Sequence, residues 1–570
     1  MRLKKSVSRN AVSYYVIEDI YVDGKRTTRI YESLGTHAEL LEKLNGEDPE
    51  TWAREYIKKL NDSINQGKVT VIEKYSNTKR IPKGNPILNE AGYLFLQSIF
   101  SKLSLDKAIK KISAKYQFEY DLSSIFSTLI FTRILHPSSK RSSFESAKSF
   151  VEPPNFDLHH VYRGLEIIAK ECDFLEETAY KNSLSIVPRD SSVLYYDCTN
   201  YFFETEITEG LKQYGVSKEN RPNPIVQMGL FLDASGLPLA FSIFDGNINE
   251  QPSLKPLEKR ILKDFSLSDI VVCTDAGLSS YDNRKFNNYS TRHFVTTQSI
   301  KKLKKYLKEW ALSGEGFKRI GSDKLYSIDE ISALGVDAPI FYKERWINDD
   351  DLEQRLIITY SNKHRIYQRN IRANQIERAL KQIDNPQFAK RKRTNDPSRF
   401  VSVCHVTDDG EVADNEAYGL NYAQIEKEEI YDGYYGICTN LDWDISRLLE
   451  VNKQRWRIED AFRTLKTEFK ARPVYLKRDD RIKAHFATCF FALLIFRILE
   501  KKIGEICSSS ELLKTLKGMN LIDASGKGYI PTFKRTDLTD ILHEKFGFRL
   551  DTEIVDKKTM KKIIKSTKSN

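Results

Sequence analysis

The chain has 570 residues, 40 % hydrophobic and 30 % charged, with only 26 Gly and 17 Pro. At roughly 100–200 residues per domain this is material for about three to five domains with real cores, which excludes a disordered, collagen-like or low-complexity chain. Lys plus Arg number 90 against 79 Asp plus Glu, a net charge of +11 that leans toward polyanionic partners. The seven cysteines (172, 198, 273, 404, 438, 489, 507) include no CxxC pair, and their odd number speaks against a secreted disulfide framework. The nine histidines show no HExxH or Cys/His zinc spacing. No apolar run of a signal peptide follows MRLKKSVSRN, and the most apolar stretch, 486–496, is short for a bilayer span. The expectation is a soluble protein of a reducing compartment with no membrane partner.

In chain order, 14–22 and 27–34 are β-rich and joined by Asp23-Gly24, a hairpin signature. A helix is expected over about 38–60, then a polar linker, SNTKRIPKGNP (76–86). Helical periodicity dominates 88–183. From Ser191 the texture becomes strand-like: VLYYDCTNYFF (193–203), IVQMGLFLD (225–233) and LPLAFSIF (237–244). A helix (253–265), a strand (DIVVCTDAG, 269–277), a short helix (280–290) and a strand (RHFVTTQ, 292–298) follow. The first three strands suit an antiparallel meander, and the helical crossovers imply parallel pairing for the last two. Segment 300–432 is basic and β-rich, with a helix at 366–383 and a basic loop, AKRKRT (389–394). Strand character returns at 433–441. One long helix is expected over 445–469 and another over 481–500, before a Lys-rich C-terminal tail.

Two carboxylates stand out by placement. Asp197 lies inside a hydrophobic strand and Asp275 ends another. Burying a carboxylate there is costly unless it is paired, hydrogen-bonded or metal-bound, although an aspartate at a strand end also caps turns. On the helix NKQRWRIEDAFRTLKTEF (452–469), Asn452, Arg455, Glu459 and Lys466 fall within about 60° of one another, with Arg463 at the margin. Val451, Ile458, Phe462, Leu465 and Phe469 form a separate apolar stripe. Taken alone, such a helix reads as a solvated face with i,i+4 ion pairs. Taken with the two aspartates, it supplies converging carboxylates and nearby cations, the set that metal-assisted phosphodiester chemistry requires.

These residues resemble those of the Asp-Asp-Glu (DDE) transposases of bacterial insertion sequences, in the branch whose last catalytic helix bears Tyr-x2-Arg-x3-Glu-x6-Lys. Arg455-x3-Glu459-x6-Lys466 matches that spacing, while Asn452 occupies the tyrosine position. YYDCTNYFFE (195–204), 217–233, DGN (245–247), VVCTDAG (271–277) and RILHPSSK (133–140) add to the likeness, which covers roughly 130–500.

The resemblance implies an α/β fold: an RNase H-like mixed sheet with helices, interrupted by a β-rich insertion domain that accounts for most of the 184-residue separation of Asp275 and Glu459. The expected organisation is an N-terminal hairpin and helix (1–75), a helical DNA-binding or assembly module (76–190), a first core part (191–299), the insertion (300–432), a second core part (433–500) and a basic C-terminal region (501–570). The resemblance further implies a DNA transposase. Asp197, Asp275 and Glu459 would hold two Mg²⁺, with Mn²⁺ as a substitute, and Arg455 and Lys466 would grip phosphates. Arg463, Asn452 and Trp346 are further DNA-contact candidates, Trp346 for stacking on a base or simply for packing. Expected partners are double-stranded transposon ends and target DNA, with a homodimer at synapsis, in the bacterial cytoplasm at the nucleoid. Two other readings remain: a nuclease that cleaves without joining, and a DNA-binding derivative that has lost the chemistry.

Overall fold

The computed structural model describes every residue except 9–10, 23–24, 45, 66–75, 79, 81–82, 85–86, 290, 350, 385–395, 406–415, 525 and 570. The Asp23-Gly24 turn, parts of the 76–86 linker and the AKRKRT loop therefore lie outside the described residues. The chain divides into two compact units: Met1–Asn85 with 523–531 and 551–560, and Pro86–Ile522 with 532–550 and 561–570.

In the first unit β1 (Arg2–Val7), β2 (Val12–Val22) and β3 (Lys25–Thr36) form an antiparallel sheet, so the expected hairpin gains an N-terminal strand. The single helix expected over 38–60 is two, His37–Lys43 and Pro49–Asn65. The reason is local: Gly46 sits at φ +96°, and Pro49 is suited only to the opening turn of a helix. The Lys-rich C-terminal segment, whose residues 557–560 belong to this unit and 561–567 to the second, is also a helix, Lys557–Thr567, and not a loose tail. Asp556 caps its first turn through the amides of Lys558 and Thr559, and Met560 and Ile563 are buried at i,i+3 spacing.

In the second unit β4 (Leu88–Glu90) precedes the helices Tyr93–Lys102, Leu105–Tyr116, Leu122–Leu135, Lys140–Ser146, Leu158–Lys170 and Cys172–Ser183. The sheet then begins with β5 (Val193–Phe202), β6 (Ile225–Asp233) and β7 (Pro238–Asp245), followed across helices by β8 (Ile270–Thr274) and β9 (Arg292–Thr297). The pairs β5/β6 and β6/β7 are antiparallel, while β5/β8 and β8/β9 are parallel. The order β7–β6–β5–β8–β9 is an RNase H-like mixed sheet. Every residue of β6 and β8 is buried, as befits strands covered on both faces.

Within 300–432, β10 (Phe317–Arg319), β11 (Leu325–Tyr326), β12 (Phe341–Asp349) and β13 (Leu352–Tyr360) continue the same sheet, while β14 (Val401–His405) and β15 (Glu416–Leu420) form a separate pair. Strand β16 (Tyr434–Thr439) lies between β13 and β9, giving ten strands in the order β11–β10–β12–β13–β16–β9–β8–β5–β6–β7.

The helix Asp479–Lys502 joins the helical layer to the sheet. Its apolar run is longer than the eleven-residue stretch 486–496. Among the described residues it is the one helix long and apolar enough to cross a membrane, yet 89 % of its most apolar window is buried inside the protein. Phe491 meets Phe126 edge-on at 5.3 Å, Phe490 meets Phe241 of β7 at 5.2 Å and Phe486 meets Tyr201 of β5 at 4.8 Å.

A buried ion pair fixes the far end of the sheet. The Arg189 Nε donates to Asp233 Oδ2 at 2.6 Å, with both side chains fully enclosed. Its other nitrogens donate to Ser183 Oγ and to the carbonyls of Leu237 and Pro238, tying the end of the Cys172–Ser183 helix to the β6–β7 turn. Arg189→Ala strands the Asp233 charge and is expected to cost roughly 3–5 kcal/mol in urea unfolding, with Arg189→Lys recovering only part because it lacks the planar fork.

Candidate active site

In the parallel β5/β8 ladder Tyr195 pairs with Cys273, so two residues further along Asp197 and Asp275 stand level with their side chains on one face. Alternation along β5 sorts the strand. Tyr196 and Cys198 enter the apolar cluster with Phe231, Leu254 and Leu257, and burial pushes the Cys198 thiol up to about 12. The odd-numbered residues face the helices that follow β16. The Tyr195 hydroxyl donates to the Val451 carbonyl at 3.1 Å, and Lys466 Nζ donates to Thr199 Oγ1 at 2.5 Å. Asp197 lies between these two contacts on β5, and Glu459 lies between them on the helical side.

The long helix expected over 445–469 is two helices, Ile445–Lys453 and Trp456–Thr467. In a continuous helix the Val451 carbonyl accepts from the amide of Arg455. Here the Tyr195 hydroxyl takes that carbonyl, and the Arg455 amide turns to Asn452 O at 3.4 Å, a side-chain insertion that breaks the ladder. Asn452 thus belongs to the first helix and does not share the wheel of Glu459 and Lys466. Its Nδ2 donates to the hydroxyl of Tyr435 on β16 at 3.2 Å.

Burial pushes the Asp197 carboxyl up to about 7, with the like charges of Asp275 and Glu250 adding to the effect and Lys218 opposing it. Its Oδ1 accepts the Cys198 amide at 2.7 Å. Asp275 Oδ1 accepts the amides of Gly277 and Leu278 at 2.9 and 3.1 Å, the strand-end turn that its position allowed. Among the described residues the second oxygen of each carboxylate accepts no hydrogen bond. Lys218 donates to Cys198 O at 2.5 Å and pairs with Glu250 at 2.8 Å. Burial, with the Lys218 charge beside it, pulls the Lys466 ammonium down to about 8.

Glu459 is on the same side of the sheet, but its side chain is 65 % exposed and lies 3.9 Å from Arg455. Its oxygens do not close with those of the two aspartates to within 4.8 Å. Arg455 lies beside β8, close enough for its charge to hold the Cys273 thiol below where burial alone would push it. Arg463 is exposed and paired with Asp460. Trp346, half exposed on β12, is five strand positions from β5, roughly 24 Å at the usual strand spacing, so it is not gathered with the acids.

Sequence reasoning passed over Lys218, Thr199 and Glu250. Lys218 lies in the 217–233 stretch and Glu250 three residues after DGN, but nothing in their spacing to Asp197 announces the contact.

The described acids offer hard oxygen donors of the kind divalent cations take, and a bound cation would offset the cost of holding a buried, charged Asp197 carboxylate beside Asp275. The fit is sound.

A family model described as "Transposase DDE domain" matches residues 204–495, just over half of the chain. The chain belongs to this family of DNA transposases, polynucleotidyl transferases that depend on divalent metal. Solved structures similar to the chain include a piggyBac transposase synaptic complex with hairpin DNA, at 9 % identity and TM-score 0.36, covering 84 % of this chain and 86 % of that one. Another is the Mos1 transposase paired-end complex with left transposon end, at 12 % identity and TM-score 0.13, covering 44 % and 70 %. None of the curated proteins is a sequence match.

The raised Asp197 carboxyl makes a stability prediction. Between about pH 4 and pH 7 the folded chain holds this proton more tightly than the unfolded chain, so stability falls as pH rises through that window. In EDTA, Asp197→Asn is expected to be more stable than wild type at pH 8, by up to roughly 4 kcal/mol, with the difference vanishing near pH 4. Thermal melts across that range check it.

Proposed function

We propose that Asp197, Asp275 and Glu459 are the catalytic acids of a transposase that cuts transposon ends and joins the freed 3′-OH to target DNA. The observation that carries this reading is the level placement of Asp197 and Asp275 on the sheet face covered by the helix that bears Glu459 and Lys466. The three carboxylates would hold two Mg²⁺, with Mn²⁺ as a substitute. Bound metal supplies a lowered pKa for the attacking hydroxyl and charge for the leaving oxygen.

The rest is the work of this chain's own residues. Asp197, whose carboxyl burial raises to about 7, would be a full anion in the assembled site. Glu459, exposed and tied only loosely to Arg455, has the freedom to swing toward the aspartates. Lys466 and Lys218 flank Asp197 as point charges for phosphates, and Arg455 adds a forked donor set. Asn452 and Arg463 are outer DNA contacts on this reading, and Trp346 reads the strand farther away. The N-terminal hairpin, the helical module and the basic C-terminal region bind DNA largely through phosphates. Two ends are held by a homodimer, in the bacterial cytoplasm at the nucleoid. A pure binder would have no use for a carboxyl kept in the sheet at the cost that Asp197 incurs.

The test is strand cleavage by purified protein with Mg²⁺ and DNA carrying the terminal repeats that flank its own gene. Glu459→Gln is expected to lose cleavage by more than about 100-fold, beyond what loss of an outer partner of a metal ligand costs, while still binding the ends. Equal cutting by both proteins would remove Glu459 from the triad, and binding without cutting by wild type would leave a DNA-binding derivative. Lys466→Ala is expected to weaken end binding uniformly across sequences and to reduce the slope of log K against log salt by about 1.

A further inference from the structure

The RILHPSSK stretch contributes nothing to the acid site, yet it builds one wall of a cavity of about 420 Å³. The opposite wall is the segment that leaves the Trp456–Thr467 helix. Four cations, Arg133, Lys140, Lys470 and Arg472, line the cavity together with Ser138 and Ser139, and none of its lining residues is a carboxylate.

The two innermost cations differ in kind. Arg133, 3 % exposed, spends its terminal nitrogens on the carbonyls of Phe469, Lys470 and Ser138, and so holds the two walls together. Lys140 is 4 % exposed and its ammonium has no hydrogen-bond partner among the described residues. Burial and the Arg133 charge pull it down to about 7. An unpaired ammonium beside a guanidinium is an expensive thing to enclose, and an apolar residue of the same length would avoid the cost. An anion entering the cavity would offset the cost.

Position says which anion. Arg472 abuts Glu219, and Glu219 lies 3.7 Å from Lys466, so the cavity lies next to the acid site. Val474, two residues beyond Arg472, bridges to Phe203 at the end of β5. Six residues of strand separate Phe203 from Asp197, on the order of 20 Å, or about six nucleotides of strand rise.

We infer that this cavity is a phosphate subsite, in which Lys140 binds a backbone phosphate of the DNA strand within about six nucleotides of the cut. The inference rests on the catalytic reading for its reference point, but binding tests it separately from cleavage.

The experiment uses the full chain carrying Asp197→Asn, in EDTA, so that only binding is read. End duplexes with a single neutral methylphosphonate at successive positions are titrated by fluorescence anisotropy against this protein and against the same protein carrying Lys140→Met. The expected result is one position within about six nucleotides of the cut where the methylphosphonate weakens binding about tenfold with Lys140 present and has no effect with Lys140→Met. Melting is the second measurement. Lys140→Met without DNA should melt no lower than its parent, because it relieves an unpaired buried charge, whereas a structural lysine would lower the melting temperature. Orthophosphate, titrated against chloride at constant ionic strength, separates the sources. If it raises the melting temperature only when Lys140 is present while no backbone position is sensitive, the subsite takes free phosphate and the DNA assignment falls. Methylphosphonate effects that are the same with and without Lys140 would also overturn it. Failure of Glu459→Gln to abolish cutting would overturn the catalytic reading and leave this binding result standing.

Discussion

Everything about the acid site depends on the two-residue period of β5. Even positions bury Tyr196 and Cys198 in the apolar cluster under the Leu254–Asp264 helix, and odd positions turn Tyr195, Asp197 and Thr199 toward the helices after β16. A slip of one residue would drive the carboxylate into the apolar layer and Cys198 into the site, so burial of the even face specifies the register. The parallel partner β8 inherits the same phase, which is why Asp275 arrives level with Asp197 and not above or below it.

The odd face then shapes what packs on it. The Tyr195 hydroxyl captures the Val451 carbonyl and breaks what would be one helix into two. The second piece carries Glu459 and Lys466 on one stripe, and the first keeps Asn452 with Tyr435. Lysines on two different elements, Lys218 from the loop before β6 and Lys466 from the helix, close around Asp197. The result is a carboxyl held out of water among charges of both signs. That arrangement is poor for a resting protein and well suited to receiving cations and phosphates.

Much of this was legible in the residues. The strand order from 193 to 298 followed from hydrophobic runs and turn residues, and the two aspartates were visible because a carboxylate inside such a run demands a reason. The Arg455-Glu459-Lys466 spacing survived because all three lie at or beyond the break. Asn452 did not survive on that stripe, because a helical wheel cannot see a tyrosine on another element taking a carbonyl from the ladder. The helix at 557–567 was hidden by its lysines, which mask the Met560 and Ile563 face.

The sequence by itself determined the class of sheet, the two strand-borne aspartates and the cation-flanked glutamate, since periodicity and local residue chemistry are written along the chain. Only the tertiary structure decided what stands beside them. Segment 300–432 hands four strands to the core sheet, Lys218 and Glu250 join Asp197, Trp346 lies five strands off, and Lys140 is enclosed beside Arg133 with no hydrogen-bond partner among the described residues. The physical reason is that burial, and the cost of a charge that burial imposes, depends on neighbours hundreds of positions away, which no local pattern encodes.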